Sequence, residues 1–364
     1  MENPEIIAYY LPQFHPFKEN DEWWGKGFTE WTNVGKAKSL FKGHCQPRVP
    51  TELGYYDLRL PIIREQQAQM AREAGVTAFC YWHYWFGGKG RQLMNSIIDE
   101  VHESGSPDFP FCLGWANESW KAKQWNADGS GDKFLMEQRY EGEEDYRMHF
   151  DYVKELFKDK RYYRVEDKPF FLIYQPQEFN DMELFIKLWN KCVKEEGIAQ
   201  SVYFVANIGD QSTKDHWLEM GFDAVTPAPI QRFLKGYLDK PKYQKAFIRF
   251  KNQYTGSPLC VPSSDLIKNN PTIGYDDNED VIPFIMPQWD HSPRSGKKGR
   301  VITNATPEQF RKQVRNMLDL VKNKKNKIIL LKSWNEWAEC NYMEPDMLNG
   351  RGFIDVLAEE LSKE

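Results

Sequence analysis

Eight short apolar runs, rich in β-branched and aromatic residues and separated by helix-period segments, constrain this chain more than any other feature. They are Ile6–Leu11, Ala78–Trp82, Phe109–Leu113, Phe170–Tyr174, Tyr203–Ala206, Ala224–Val225, Ile282–Met286 and Ile328–Leu331. Between them, Pro61–Ala74 opens with proline at its first position and stops at Gly75, and Gln92–Ser104 stops at Gly105. Glu143–Lys158 and Met182–Glu196 are amphipathic, Thr306-Pro-Glu-Gln309 is a capping box that opens a helix to about Lys322, and a last helix is expected at roughly Phe353–Ser362. Strands that alternate with helices pair in parallel, and eight such units predict an α/β fold closed as a (β/α)8 TIM barrel. An open doubly wound sheet is the alternative. Its nucleotide-binding form is weak here, because no G-x-G-x-x-G or Walker loop follows an early strand.

Two insertions interrupt the alternation. The first, about Phe14–Leu60, follows strand 1 and carries Trp23-Trp24-Gly25, Phe28-Thr29-Glu30-Trp31 and Tyr55-Tyr56-Asp57; the second, about Ala228–Glu279, follows strand 6 and shows no clear periodicity. Loops of this length in a compact domain are more often lids or binding walls than filler. With no linker, repeat or low-complexity tract, residues 1–364 are expected to form one elaborated catalytic barrel. A net charge of -5 with no basic block gives no footprint for nucleic acid. The six cysteines have no metal-ligand spacing, which suits a reducing compartment. The start, Met1-Glu-Asn-Pro, lacks the basic and apolar regions of a leader, and no run approaches the ~20 apolar residues of a membrane span. The expectation is a soluble, cytoplasmic chain with no membrane span, or a periplasmic or secreted one if a leader was removed. Oligomeric state stays open.

The active face of a barrel is built from strand C-termini and the loops after them. At those ends stand Pro12-Gln-Phe-His15, Trp82-His-Tyr-Trp85, Trp115-Ala-Asn-Glu-Ser-Trp120, Tyr174-Gln175, Asn207, Thr226-Pro227, Gln288-Trp-Asp290 and Trp334-Asn-Glu-Trp-Ala-Glu339. Indole faces stack on the C–H faces of sugars while amides, carboxylates and imidazoles bind the hydroxyls, so this mixture predicts an oligosaccharide or polysaccharide substrate. Glu336 and Glu339 are the sharper signal. Glycosidic cleavage needs one carboxylic acid to protonate the leaving oxygen and a second group to activate a nucleophile, and like-charge repulsion would separate the two pKa values. Taken from spacing alone, the pair could equally be salt-bridged loop carboxylates. Asn117-Glu118, at the end of strand three, is a rival pair member. His83 could bind a hydroxyl or tune an acid, or could be a packed histidine. His15, His44 and His83 are not at a recognised zinc spacing, so no metal is expected.

Longer stretches carry a resemblance. Tyr9-Tyr-Leu-Pro-Gln-Phe-His15, Asn20-Asp-Glu-Trp-Trp-Gly-Lys-Gly-Phe-Thr-Glu-Trp-Thr-Asn-Val34, Tyr81-Trp-His-Tyr-Trp-Phe86, Phe109-Pro-Phe-Cys-Leu-Gly-Trp-Ala-Asn-Glu118 and Ser333-Trp-Asn-Glu-Trp-Ala-Glu339 resemble the WbsX-type family, which carries a glycosyltransferase label and belongs with the glycoside hydrolase family 99-like proteins. The match runs from near residue 6 to near residue 355. Its better-understood relatives are endo-acting α-1,2-mannosidases and mannanases on a (β/α)8 barrel, with a Glu-Trp-x-Glu element that Glu336-Trp-Ala-Glu339 resembles. By that resemblance Glu336 assists attack by the substrate 2-hydroxyl on its own anomeric carbon. Glu339 would then act as general acid and base, with net retention. The resemblance implies no cofactor. It leaves Glu118 as a substrate-site or structural residue, among candidate sugar contacts at Tyr10, His15, Trp31, His83, Trp85, Trp115, Asn117, Tyr174, Trp289, Trp334, Asn335 and Trp337. Two departures bear on specificity: the secreted mannosidases carry export signals, and the Trp-Trp-Gly-Lys-Gly-Phe-Thr-Glu-Trp insertion is distinctive. The expected activity is that of a retaining glycoside hydrolase or transglycosylase cleaving an internal linkage of a bacterial polysaccharide, with α-mannosidic linkages among the candidates. The alternatives are a glycosyltransferase using an activated sugar donor and a non-catalytic glycan-binding barrel.

Overall fold

Each of the eight apolar runs becomes a strand of one sheet that closes on itself. The computed structural model describes residues 4–121 and 134–363. Its barrel strands are β1 (Glu5–Tyr10), β2 (Ala78–Trp85), β3 (Phe111–Trp115), β4 (Lys168–Ile173), β5 (Tyr203–Ile208), β6 (Ala224–Pro227), β7 (Phe284–Ile285) and β8 (Ile328–Leu331). They are hydrogen-bonded in the order β6-β5-β4-β3-β2-β1-β8-β7, and all seven pairings are parallel. A parallel bridge between Val225 and Val281 brings the two ends of the sheet together. The fold is the expected α/β barrel. β7 is its shortest strand, and Pro283 and Pro287 bracket it; a proline nitrogen has no hydrogen to donate to a ladder.

Helices α1 (Pro61–Ala74), α2 (Ser96–Ser104), α3 (Glu143–Phe157), α4 (Met182–Glu195), α5 (Lys214–Glu219), α6 (Pro229–Leu238), α7 (Pro307–Val321) and α8 (Gly352–Leu361) carry the returning connections. The expected start of α2 at Gln92 is corrected. Gln92 and Leu93 pair antiparallel with Trp85 and Tyr84, because β2 runs on three residues past Trp82 and its end takes a partner there. Gly75 ends α1 at φ +80°, and a Cβ on it would lie 2.6 Å from Leu361 Cδ1, so glycine serves both the turn and the close approach of α8.

The insertions are built rather than loose. The first contains the helices Lys18–Trp24 and Glu30–Lys36, the latter opened by a capping box on Thr29. The second, expected to be aperiodic, holds α6, a helix at Lys242–Thr255, a strand Leu259–Pro262 and a helix Ser263–Asn269. Lys242–Thr255 buries none of its residues, so its periodic aromatic positions do not mark a core-facing stripe. Among the described residues no helix is long and apolar enough to cross a membrane.

Candidate active site

Beyond β8 the chain enters a hairpin instead of a helix. The Trp334 N–H donates to the Tyr9 carbonyl at 2.7 Å, Asn335–Glu336 pairs antiparallel with Asn341–Tyr342, and a single 3-10 turn at Trp337–Glu339 joins them. A 3-10 turn has three residues per turn, so side chains three apart eclipse. Glu336 and Glu339 therefore face one space, while Trp337 between them turns into the core, donates its Nε1–H to Glu344 at 2.6 Å and stacks on Tyr342 with ring centroids 3.7 Å apart. Asn335 locks the hairpin to the end of β1: its Oδ1 accepts from the Leu11 N–H at 2.7 Å and its Nδ2 donates to the Leu11 carbonyl at 3.1 Å. Truncating it orphans two buried backbone groups, so Asn335→Ala is expected to cost about 2–3 kcal/mol in urea unfolding. A loss under about 0.5 kcal/mol would mean that the clamp contributes nothing beyond ordinary surface contacts.

The hairpin opens into a cleft of about 430 Å³, a size that suits a small-molecule or oligosaccharide subsite. Trp82, Tyr84, Tyr174 and Trp289 give it aromatic walls. Trp82 lies flat on Tyr9 (5.0 Å, 3°) and edge-on to Tyr174 (5.2 Å). A Cβ on Gly114 of β3 would press on Cys80 Sγ at 3.1 Å and meet the Trp82 ring at 3.4 Å.

One arginine organises the charge. Arg294, in the turn Ser292–Ser295 beyond β7, reaches Glu336 Oε1 at 3.4 Å and bonds Glu339 Oε1 through the same Nη1, while its Nη2 lies 3.1 Å from Glu30 Oε2. A shared nitrogen keeps those two carboxylate oxygens within about 6 Å of each other, closer than the ~6.5–9.5 Å of inverting glycosidase pairs. Glu336 also accepts from Ser333 Oγ at 3.3 Å and faces Lys332 Nζ at 3.7 Å. Glu339 accepts from Trp289 Nε1 at 2.9 Å and faces His291 Nε2 at 3.7 Å. Burial, then the Glu339 charge, raises the Glu336 pKa. Burial would raise Glu339 as well, but Arg294 and then His291 outweigh it and hold that carboxyl down to about 2. The surroundings thus push the two carboxyls apart in acidity, Glu336 upward and Glu339 downward. Glu118, lining the same cleft, is pushed up to about 7 by burial and by the Glu339 charge.

Of the residues expected at the site, Glu336, Glu339, Glu118, Tyr174 and Trp289 line this cleft. The others expected to touch sugar are corrected. The Tyr10 hydroxyl is buried on Gln67 Oε1 at 2.6 Å, and His15 is buried beside Phe17, which lowers its pKa to about 4. Trp31 packs against Phe14 and Trp337 and donates to the Tyr56 carbonyl at 2.7 Å. His83 pairs with His149 at 2.8 Å, Trp85 stacks on His149 and Trp115 donates to the Trp85 carbonyl at 2.9 Å, all on the helix side of β2 and β3. Asn117 ties Gln175 and Tyr140 together, Trp334 is fully buried against Phe79, and Asn335 and Trp337 are engaged as described. The cause on β2 is alternation: Trp82 and Tyr84 face the cleft, so His83 and Trp85 cannot. Arg294 and Glu30 stand outside the expected set, and in the strand-end stretch Trp82-His-Tyr-Trp85 the cleft-facing residues are Trp82 and Tyr84. An arginine four residues past Asp290, at the active end of β7, was the available signal for the first. Asp276 is fully buried and spans Arg232 with both oxygens at 2.9 and 2.8 Å. His44 is paired with Asp290 at 2.7 Å. Among the described residues no cluster of three or more potential metal ligands occurs.

Behind the hairpin Glu344 is fully buried and accepts from Trp337 Nε1 (2.6 Å), Gln67 Nε2 (2.6 Å) and Tyr56 OH (2.9 Å). Burial still raises it to about 7. A carboxyl raised on folding adds stability that is full below its unfolded value near 4.5 and is lost as pH climbs through 7. Glu344→Gln should remove that slope, on the order of 3 kcal/mol between about pH 4.5 and 7. Urea midpoints read across this window test it, and a slope unchanged by the substitution would contradict it.

A family model described as Glycosyltransferase WbsX matches residues 6–357. Two curated relatives, each described as uncharacterized protein WxcX, from Xanthomonas campestris pv. campestris strains ATCC 33913 and B100, are 34% identical over 98% of this chain and 50% of theirs. The chain spans about half the length of the curated relatives it matches. Among solved structures, a glycoside hydrolase-like protein aligns with TM-score 0.64 at 15% identity over 99% of this chain and 94% of that one. The GH99 endo-alpha-mannosidase from Bacteroides thetaiotaomicron aligns with TM-score 0.53 at 14% identity, covering 99% and 98%. At these identities the likeness shows the shared barrel.

Proposed function

The chain belongs to the WbsX glycosyltransferase family, and on that premise we propose that it is a retaining glycan-active enzyme that cleaves or transfers across an internal glycosidic linkage, with Glu336 and Glu339 as its reacting carboxyls. The single observation that supports this most is the shared Arg294 contact, which keeps two buried carboxyls close and pushes them apart in acidity in an aromatic-walled cleft. Chemistry at an anomeric carbon needs that asymmetry: a proton for the leaving oxygen and an ionised oxygen to draw a proton from the attacking group. The roles that the family resemblance implies require a proton to move onto Glu339 when substrate enters. Glu336, ionised, takes the 2-hydroxyl proton as that oxygen attacks the anomeric carbon and expels the leaving oxygen. Glu339 protonates the leaving oxygen and then deprotonates the water or acceptor that opens the 1,2-anhydro ring, whose O2 regains its proton from Glu336. An α-mannosidic linkage in a bacterial surface polysaccharide is the first substrate to try. Digestion of a glycan library, read by product size, tests it; no cleavage or transfer across mannans and capsular glycans would count against it.

Two specific observations favour other readings. Lys298, Arg300 and Lys332 line the cleft beside Arg294 and would suit the phosphates of an activated sugar donor. Calorimetry with nucleotide sugars separates that transferase reading, which requires tight binding. The Arg294 contact on Glu339 also suits a glycan-binding barrel without chemistry, which requires that a glycan bind and emerge unchanged.

A further inference from the structure

The helix Lys242–Thr255 is amphipathic in the wrong direction for a globular surface. Tyr243, Phe247, Phe250 and Tyr254 recur at intervals of four, three and four, so at 100° per residue they form one stripe. That stripe is turned outward, with the four side chains 71%, 67%, 69% and 86% exposed. The residues that touch the body, half-buried Lys245, Ile248 and Asn252, lie on the opposite side. Four exposed aromatic rings in a row exceed the scattered apolar residues of an ordinary surface and mark a contact face.

Charge selects the partner. Apart from Lys245 on the body side, the helix carries Lys242, Arg249 and Lys251 and no acidic residue, in a chain whose net charge is -5; Lys235, Asp239 and Lys240 precede it. A second copy of the chain, docked through the same face, would set these cations against their own counterparts. A surface that is apolar below and anionic above meets both requirements: phenylalanine rings enter the acyl boundary, tyrosine hydroxyls stop among headgroups, and the cations face lipid phosphates. We propose that this helix docks the protein on an anionic lipid bilayer, peripherally and reversibly.

The docking would place the cleft close to the bilayer. The helix ends at Gly256, where a Cβ would lie 2.6 Å from Lys297 Nζ, and the next residue, Lys298, lines the cleft. On the other side α6, which leads into the helix, contributes Ile230 to the cleft wall. A glycan carried on a lipid is the substrate class such a placement would serve.

The test is flotation of the protein with vesicles of phosphatidylcholine alone and of phosphatidylcholine with phosphatidylglycerol. Expected are binding to the anionic vesicles only, its reversal by added salt, and its loss in Phe247→Ser/Phe250→Ser. Each of Lys242→Gln and Arg249→Gln should lower the partition roughly fivefold. None of these side chains is buried, so all variants should melt with the parent. Failure of the parent to float with anionic vesicles would overturn the proposal. So would unchanged flotation of the phenylalanine variant, or a vesicle-free dimer that this variant converts to monomer. Glycan cleavage is not read in this assay, so its outcome is independent of the chemistry assigned to the cleft.

Discussion

Glu336→Gln and Glu339→Gln are each expected to fold and to lose about 10²–10⁴-fold in turnover, the range for removing a positioned acid or base. Both amides keep the shape of the side chain. In Glu336→Gln the like-charge contact with Glu339 disappears, so melting should match the parent. In Glu339→Gln, Arg294 keeps Glu30 and Glu336, and the fold should survive with a modest loss. The Glu339 charge also helps to raise Glu118, so in Glu339→Gln that titration should move from about 7 toward the ordinary carboxylate range, readable by carboxyl NMR. A leaving group that needs no proton, such as an activated phenolate, distinguishes the roles. The variant lacking the proton donor keeps most of its rate on that substrate, and the variant lacking the base does not. The family resemblance makes Glu339 the rescued position, whereas the charges of the empty cleft favour Glu336. Rescue of neither, or full activity in either variant on natural glycan, would remove the pair from the reaction.

Arg294→Met should have the largest effect on stability. It leaves Glu30, 1% exposed, together with Glu336 and Glu339, in a buried site without their shared cation. Breaking such a contact costs about 3–5 kcal/mol, because charge stays buried without compensation. The sign with pH follows from Glu339. In the parent its pKa is depressed to about 2, so it contributes stability that is present above the unfolded value near 4.5 and is lost only as pH falls toward 2. Without Arg294, burial dominates and the pKa rises, so its contribution reverses: stability is fullest at low pH and is lost as pH rises. The difference from the parent should therefore be wider at pH 8 than at pH 5 in urea unfolding. A difference independent of pH would show that Arg294 acts through packing alone.

The barrel was legible because eight apolar runs of strand length, separated by capped helices, leave few other ways to bury them. The direction of individual side chains was less so. Trp82-His-Tyr-Trp85 is aromatic at every position, so nothing in it separates the cleft face from the helix face, and a shift of one residue exchanges them. The Glu336 and Glu339 pair was visible as a spacing, yet its electrostatics depend on Arg294 and on Glu30, which lie far apart in the sequence. In the first insertion the conspicuous residue was Trp31, whereas its neighbour Glu30 reaches the site and Trp31 fills the core. Long-range ion pairs leave no periodic trace for a sequence to show.

The most direct measurement of the account is the anomeric configuration of the first-formed product, followed by proton NMR during cleavage of a library glycan by the parent and by Glu339→Gln. Expected is a product that retains the configuration of the bond cut, formed by the parent and not by the variant. An inverted first product, or one formed equally by both proteins, would contradict it.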